Sequence, residues 1–278
     1  MSEKIYTIED LINQLGVEYE IGVPVQGHIY NQIIDGAKKG TLTIRSAASG
    51  VGKTRNAVAD ACYLAYPFRY NNATCEWEQK GNNEKVLFIV TEQRFKEVRT
   101  MILAYLTDIN ATRFKYADFS DRERAVITQA TALIKKYSSN LILVKMPNPT
   151  IETVKSIVRE NCIIYDIGYV FYDYIFIGPS LLNEFKGFAL RNDEVLLMFA
   201  TALKDLAVEL DVAMLATVAN MAKQVLSDTC NKCVMSKYYA ADCLKKIYSG
   251  IYIEDLKDTI MANQYADSAS KYMNQRWP

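Results

Sequence analysis

Residues 47–54 read Ala47-Ala48-Ser49-Gly50-Val51-Gly52-Lys53-Thr54, and the reading of this run decides the fold. It follows an alternating stretch, Thr41-Leu42-Thr43-Ile44-Arg45, which has the period of a strand. It opens a segment in which Ala57, Val58, Ala61, Cys62 and Ala65 share one helical face. Strand, glycine-bearing loop ending in Gly-Lys-Thr, then helix is the context that a phosphate-binding P-loop requires. Backbone N–H groups of the loop and of the helix N-terminus converge on a phosphate, and small residues let the backbone come close. Lys53 is expected to reach the β- and γ-phosphates and the Thr54 hydroxyl to ligate Mg²⁺. Ala48, Ser49, Gly50, Val51, Gly52, Lys53, Thr54 and Arg55 are the candidate nucleotide contacts. The usual first glycine is Ala47, so the strict pattern is broken by one methyl. The competing reading, a chance Gly-Lys-Thr in a surface turn, has no need of the flanking strand and helix.

Composition agrees with a nucleotide-binding α/β protein without adding to it. At 278 residues the chain can hold one large domain or two small ones, either with a full core. Lys plus Arg and Asp plus Glu are 32 each, a balance that argues against a strongly basic, sequence-independent nucleic-acid binder and leaves room for a local basic loop. No run of 18 apolar residues suggests a membrane span. Met-Ser-Glu-Lys lacks the layout of a signal peptide, so a cytoplasmic protein is expected. Cys62 and Cys162 sit in apolar surroundings and are expected to be buried thiols. Cys230 and Cys233 form a CxxC with Cys243 ten residues on, but zinc normally needs four ligands and the single histidine, His28, is far away. Reduced thiols are the expectation there.

Residues 1–22 carry Ile5, Ile8, Leu11, Ile12 and Leu15 at helical spacing, the pattern of a leading amphipathic helix that packs on this domain or on a neighbour. Four further apolar runs have the look of buried parallel strands: 86–90, 141–144, 169–172 and 212–216. Helical patterns over about 93–106, 121–137, 150–161 and 192–210 separate them. The alternation predicts right-handed βαβ units in a mostly parallel sheet, with ligands at the carboxyl ends of the strands. The residues that close those strands are then the ones to examine. Asp173 ends the run Gly168–Tyr172 in the form of a Walker B acid holding the Mg²⁺ shell. Glu92, after Val86–Val90 and Thr91, is placed to orient or deprotonate an attacking water. The blander alternatives are an Asp capping a turn and a Glu favoured at a helix N-terminus.

The strand-by-strand pattern resembles the RecA-fold ATPase domain of DnaB-type replicative helicases over about residues 20–220. The loop Ala47–Thr54, with alanine first, is similar to that family's form. Val86–Leu106 resembles the segment with its catalytic glutamate, and Tyr169–Ile177, with the pair Asp173-Tyr174, its Walker B strand. Asn192–Ala219 resembles the long helix and strand that follow, Leu203–Leu210 most of all. The resemblance implies a RecA-like three-layer α/β fold over 23–220. It also implies ATP with Mg²⁺ as nucleotide and cofactor, and a hexameric ring moving along single-stranded DNA. The family's DNA-contacting loop follows Walker B, which here is Gly178 to Asp193 with Lys186 and Arg191 as its cations.

Three departures bear on function. The P-loop begins before residue 50, so the family's helical N-terminal domain is not expected within this sequence. The strand 212–216 leads into Thr217-Val218-Ala219-Asn220, where the family places a glutamine after Ser or Thr. Val218 has no hydrogen-bonding side chain, so Thr217 and Asn220 are the candidate sensor residues. Residues 221–278, a tail of uncertain structure, offer Arg276 alone as a source of an arginine finger. The leading expectation is an ATP-dependent DNA helicase or translocase subunit. The rival is a RecA-like ATPase that loads, tethers or regulates a partner protein without unwinding.

Overall fold

The computed structural model describes residues 21–47, 50–188 and 190–219. The leading helix expected over 1–22, apart from its last two residues, lies outside them. So do Ala48, Ser49 and Asn220 and the tail with Cys230, Cys233, Cys243 and Arg276.

In chain order the elements are α1 (His28–Ile34), β1 (Leu42–Ala47), α2 (Lys53–Ala65), β2 (Phe68–Asn71), β3 (Glu76–Gln79), β4 (Val86–Val90), α3 (Phe95–Thr107) and α4 (Ala111–Tyr116). There follow α5 (Asp121–Lys136), β5 (Leu141–Lys145), α6 (Ile151–Tyr165), β6 (Tyr169–Ile175), α7 (Pro179–Glu184), α8 (Asn192–Leu210) and β7 (Ala213–Ala219). Five strands form a parallel sheet in the order β1-β7-β6-β4-β5. The strand alternation sorts side chains into two apolar layers. Val86, Phe88 and Val90 of β4 pack with α2, α3 and α5 on one face, while Leu87 and Ile89 pack with α6, α7 and α8 on the other. All five β4 residues are buried, which is why this strand is an unbroken apolar run rather than an alternating one. Helix, sheet, helix is the three-layer α/β arrangement.

Helices α5 and α6 start where short polar side chains satisfy their first amides. The Ser120 hydroxyl accepts from Glu123 N–H at 3.3 Å while the Glu123 carboxylate accepts from Ser120 N–H at 2.8 Å, a reciprocal cap for α5. Thr150 accepts from Thr153 N–H at 3.1 Å at the start of α6.

Several boundaries differ from the sequence pattern. Strand β6 runs on to Ile175 with a register shift after Tyr172, and β7 to Ala219. The antiparallel hairpin β2–β3 was not in the pattern at all; its strands are four residues each and carry Arg69, Glu76 and Glu78. It is held onto α3 by Arg69, which donates to the Tyr105 carbonyl at 3.0 Å, and onto α5 by Trp77, which donates to Gln129 at 2.8 Å. The interval after β6, expected to be a loop, contains the short helix α7. Cys62 is buried as expected, but Cys162 is only half-buried because it lies on the flank of α6. No helix of the described residues is long and apolar enough to cross a membrane.

Candidate nucleotide-binding site

The sheet order lines up the strand ends that matter. From one edge inward come β1 with the P-loop, β7 with Thr217, β6 with Asp173 and β4 with Thr91-Glu92. Val90 lies beside Asp173 in the ladder, and Arg45 beside Thr217. Parallel strands thus bring residues more than a hundred positions apart to one carboxyl edge, where α/β sheets bind ligands.

Gly50 and Gly52 have φ of +83° and +98°, a region L side chains rarely adopt. A Cβ at either would meet nothing within 4 Å, so the requirement for glycine is conformational and not one of space. Gly52 is the N-cap of α2, and Asn56 N–H closes the first turn on its carbonyl at 3.0 Å. Lys53 and Thr54 therefore open the helix, where amides and helix dipole favour an anion.

Behind the loop, Arg45 of β1 and Asp60 of α2 form an ion pair with less than a tenth of either side chain exposed. Asp60 also accepts from Gln26 N–H at 3.0 Å. Burial pushes the Asp60 carboxyl above its usual range, and Arg45 and Gln26 only partly pull it back. The pair joins the strand and the helix that flank the P-loop.

A cavity of about 300 Å³ opens at this edge. Gly50, Gly52, Lys53, Thr54 and Arg55 line it together with Glu92 and Asp173. Asp173 is 2% exposed, and its Oδ1 accepts from the Thr217 hydroxyl at 2.5 Å. Glu92 is exposed. Gln93, Met101 and Tyr174 complete the wall; the sequence reading gave them no role. Tyr174 follows Asp173 directly, so its place next to that candidate residue was the available signal. The Asp173–Tyr174 peptide is cis. Burial, then the nearby Glu92 and Asp173 carboxylates, push the Tyr174 phenol up, so it stays a neutral hydroxyl at neutral pH. A larger groove of about 480 Å³ between the hairpin and α5, lined by Phe68, Trp77 and Leu133, is almost wholly apolar. The polar cavity is the one with chemistry.

The remaining candidates fall apart from it. Val51 is 62% exposed and does not line the cavity. Lys186 is exposed after α7. Arg191 precedes α8, where its guanidinium holds Asp193 at 2.7 Å and its N–H donates to Glu194 at 2.7 Å. Helix α7 is tied to the β5–α6 connection: Asn148 donates to the Ser180 hydroxyl at 2.7 Å, and Glu184 accepts from Ile151 N–H at 2.9 Å.

Among the described residues no group of three or more His, Cys, Asp or Glu is arranged to hold a metal. Mg²⁺ does not need one, since it binds commonly through one or two protein oxygens plus substrate phosphates. Thr54 and Asp173, facing one cavity, fit that requirement.

Known proteins bear on this arrangement. The DnaB-like helicase C terminal domain family matches residues 22–239. A curated relative, the SPbeta prophage-derived uncharacterized protein YorI of Bacillus subtilis (strain 168), is 28% identical over 212 residues. That alignment takes in 75% of this chain and 42% of YorI, so the chain spans about two fifths of the relative's length. Among solved structures, the ATPase domain of G40P superposes with a TM-score of 0.60 at 19% identity, covering 80% of this chain and 74% of that one. A DnaB-like replicative helicase studied for its interactions with primase gives 0.60 at 18% identity, covering 80% and 50%. At such identities the two structures attest to the RecA-like fold alone. The family match carries more, because it takes in the P-loop, both carboxylates and every strand of the sheet, and on that ground the chain belongs to the DnaB-like helicase C-terminal domain family.

Proposed function

We propose that this chain is an ATP-dependent DNA translocase or helicase subunit that hydrolyses ATP with Mg²⁺. The observation that carries the reading is that Lys53, Thr54, Glu92 and Asp173, drawn from three separate segments, line one cavity. Lys53 meets the charge of the β- and γ-phosphates, and the amides after Gly52 cradle them. The Thr54 hydroxyl and the Asp173 carboxylate hold the Mg²⁺, which when bound neutralises charge on the phosphate oxygens. Glu92 orients the attacking water and accepts its proton. Thr217, through its bond to Asp173, keeps that carboxylate aimed; this is a narrower role than a relay to DNA. Lys186 and Arg191 are the proposed contacts to single-stranded DNA, as phosphate contacts that give position and not sequence.

The deciding experiment is the ATPase rate with and without single-stranded DNA, together with mass measurement in the presence of ATP. DNA stimulation and an ATP-dependent ring support translocation. The second reading, an ATPase that loads or tethers a partner protein, is favoured by Val218, which fills the relay position with an apolar side chain. Hydrolysis indifferent to DNA, with ATP-dependent capture of a protein, selects it.

A further inference from the structure

The strand that brings in Glu92 and the strand that brings in Asp173 are joined at their ends by one side chain. Thr91, 3% exposed, sits between Val90 of the ladder and Glu92. Its N–H donates to the Asp173 carbonyl at 2.9 Å. Its hydroxyl proton is shared between the carbonyls of Asp173, at 3.1 Å, and Tyr174, at 3.2 Å. The same oxygen accepts from Tyr174 N–H at 3.0 Å. The pairing of β6 with β7 is irregular just here, with the register shifting between Tyr172 and Ile175, while on the other side Asp173 is the last residue of β6 in register with β4, opposite Val90. The Thr91 hydroxyl extends the tie to β4 by one residue, to Tyr174.

We propose that Thr91 is a positioning residue that fixes the Asp173-Tyr174 backbone relative to Glu92, and so sets the spacing between the metal-holding and water-orienting carboxylates. The inference rests on the proposed ATPase reading. Thr217 fixes the side-chain end of Asp173 and Thr91 its backbone, so neither hydroxyl replaces the other. A small misplacement of reacting groups costs up to about 10²-fold in rate, which is large enough to read. Sequence pattern cannot separate this role from packing, because a buried threonine at a strand end is ordinary in both.

The test compares Thr91→Val, which keeps the shape and removes the hydroxyl, with Thr91→Ser, which keeps the hydroxyl. Two readouts are taken: steady-state ATP hydrolysis, and the Mg²⁺ concentration at half-maximal binding of a fluorescent, non-hydrolysable ATP analogue. Thr91→Val is expected to lower kcat about tenfold or more, with KM within about threefold, and to raise the Mg²⁺ midpoint at least about threefold. Thr91→Ser is expected to restore both to within about twofold of the wild type. A Thr91→Val protein with kcat and Mg²⁺ midpoint unchanged overturns the proposal, as does equal impairment of the two variants. Lys53→Ala is run alongside on the binding readout. If it binds the analogue as the wild type does, the nucleotide-site reading fails, and that result is distinct from either failure of Thr91.

Discussion

The carboxyl edge of the sheet and the segment between α7 and α8 carry the two halves of the proposed activity, and they are built in opposite ways. At the sheet edge Asp173 and Thr217 are 2% and 3% exposed and bonded to each other. Between α7 and α8, Phe188 is 69% exposed and the Arg191 side chain 73%. A buried polar group without a partner is costly, so the strands must hold the edge residues to one geometry. A surface cation is free to exchange partners with little change in energy. On the proposed reading the chemistry is therefore specified residue by residue, while nucleic-acid contact would be specified only by charge in a region.

That contrast gives an order of effects. At the rigid end, Lys53→Ala should reduce kcat/KM about 10³-fold, at the upper end of what one lost charge-stabilising donor costs. A coupled-enzyme ATPase assay checks it, and activity within tenfold would mean that the edge is less specified than its burial says. Arg45→Ala should cost about 3–5 kcal/mol of stability at pH 7, since it strands Asp60 in the interior. Urea melts read this, and the pH dependence gives the sign. Asp60 already has a raised folded pKa, and losing Arg45 raises it further. Its cost is therefore full above the folded value and shrinks as pH falls toward the unfolded value of 3.8. A deficit that grows in acid would break the assignment.

Glu92→Gln should bind Mg-ATP normally and turn it over about 10²-fold more slowly, the lower part of the range for a general base because Glu92 is exposed to water. Nucleotide titration beside single-turnover hydrolysis separates the two effects. At the loose end the effects should be small. Lys186→Ala should flatten the salt dependence of single-stranded DNA affinity by about 0.7 in slope, the value of one phosphate contact. Arg191→Ala should change it by less than half of that, since its guanidinium is already engaged by Asp193. Fluorescence anisotropy across a salt series reads both, and a larger effect at Arg191 would show that this segment is more ordered in its task than its exposure suggests.

The inner strands of the sheet are legible in the sequence because burial on two faces leaves little choice of residue: Val86-Leu87-Phe88-Ile89-Val90 could hardly be anything else. Lys53, Thr54, Glu92 and Asp173 could be named as candidates because in the sequence each follows an apolar run or opens a helical pattern, although β6 runs two residues past Asp173. The hairpin is hidden because Phe68-Arg69-Tyr70-Asn71 and Glu76-Trp77-Glu78-Gln79 are short and pack on one side only. Thr91 and Tyr174 are adjacent to named site residues, yet what they do depends on which strand lies beside which. That order, with β6 and β7 inserted between β1 and β4, is not written in any local pattern. The Arg45–Asp60 pair is hidden for the same reason: an arginine on an alternating strand resembles a solvent-facing residue until the helix that covers it is in place.

The complete burial of β4 has a further consequence, in the time domain. Backbone amides exchange with solvent only when a segment opens, and strands flanked on both edges and covered on both faces open last. β4 lies between β6 and β5, under both helical layers, so its amides should exchange only through near-global unfolding. The hairpin β2–β3, two strands wide, should exchange far sooner. Glu92 thus follows two residues after the slowest-opening strand and Asp173 lies opposite its last residue, Val90, so on the proposed reading any motion that accompanies nucleotide turnover must occur around β4 while it stays closed.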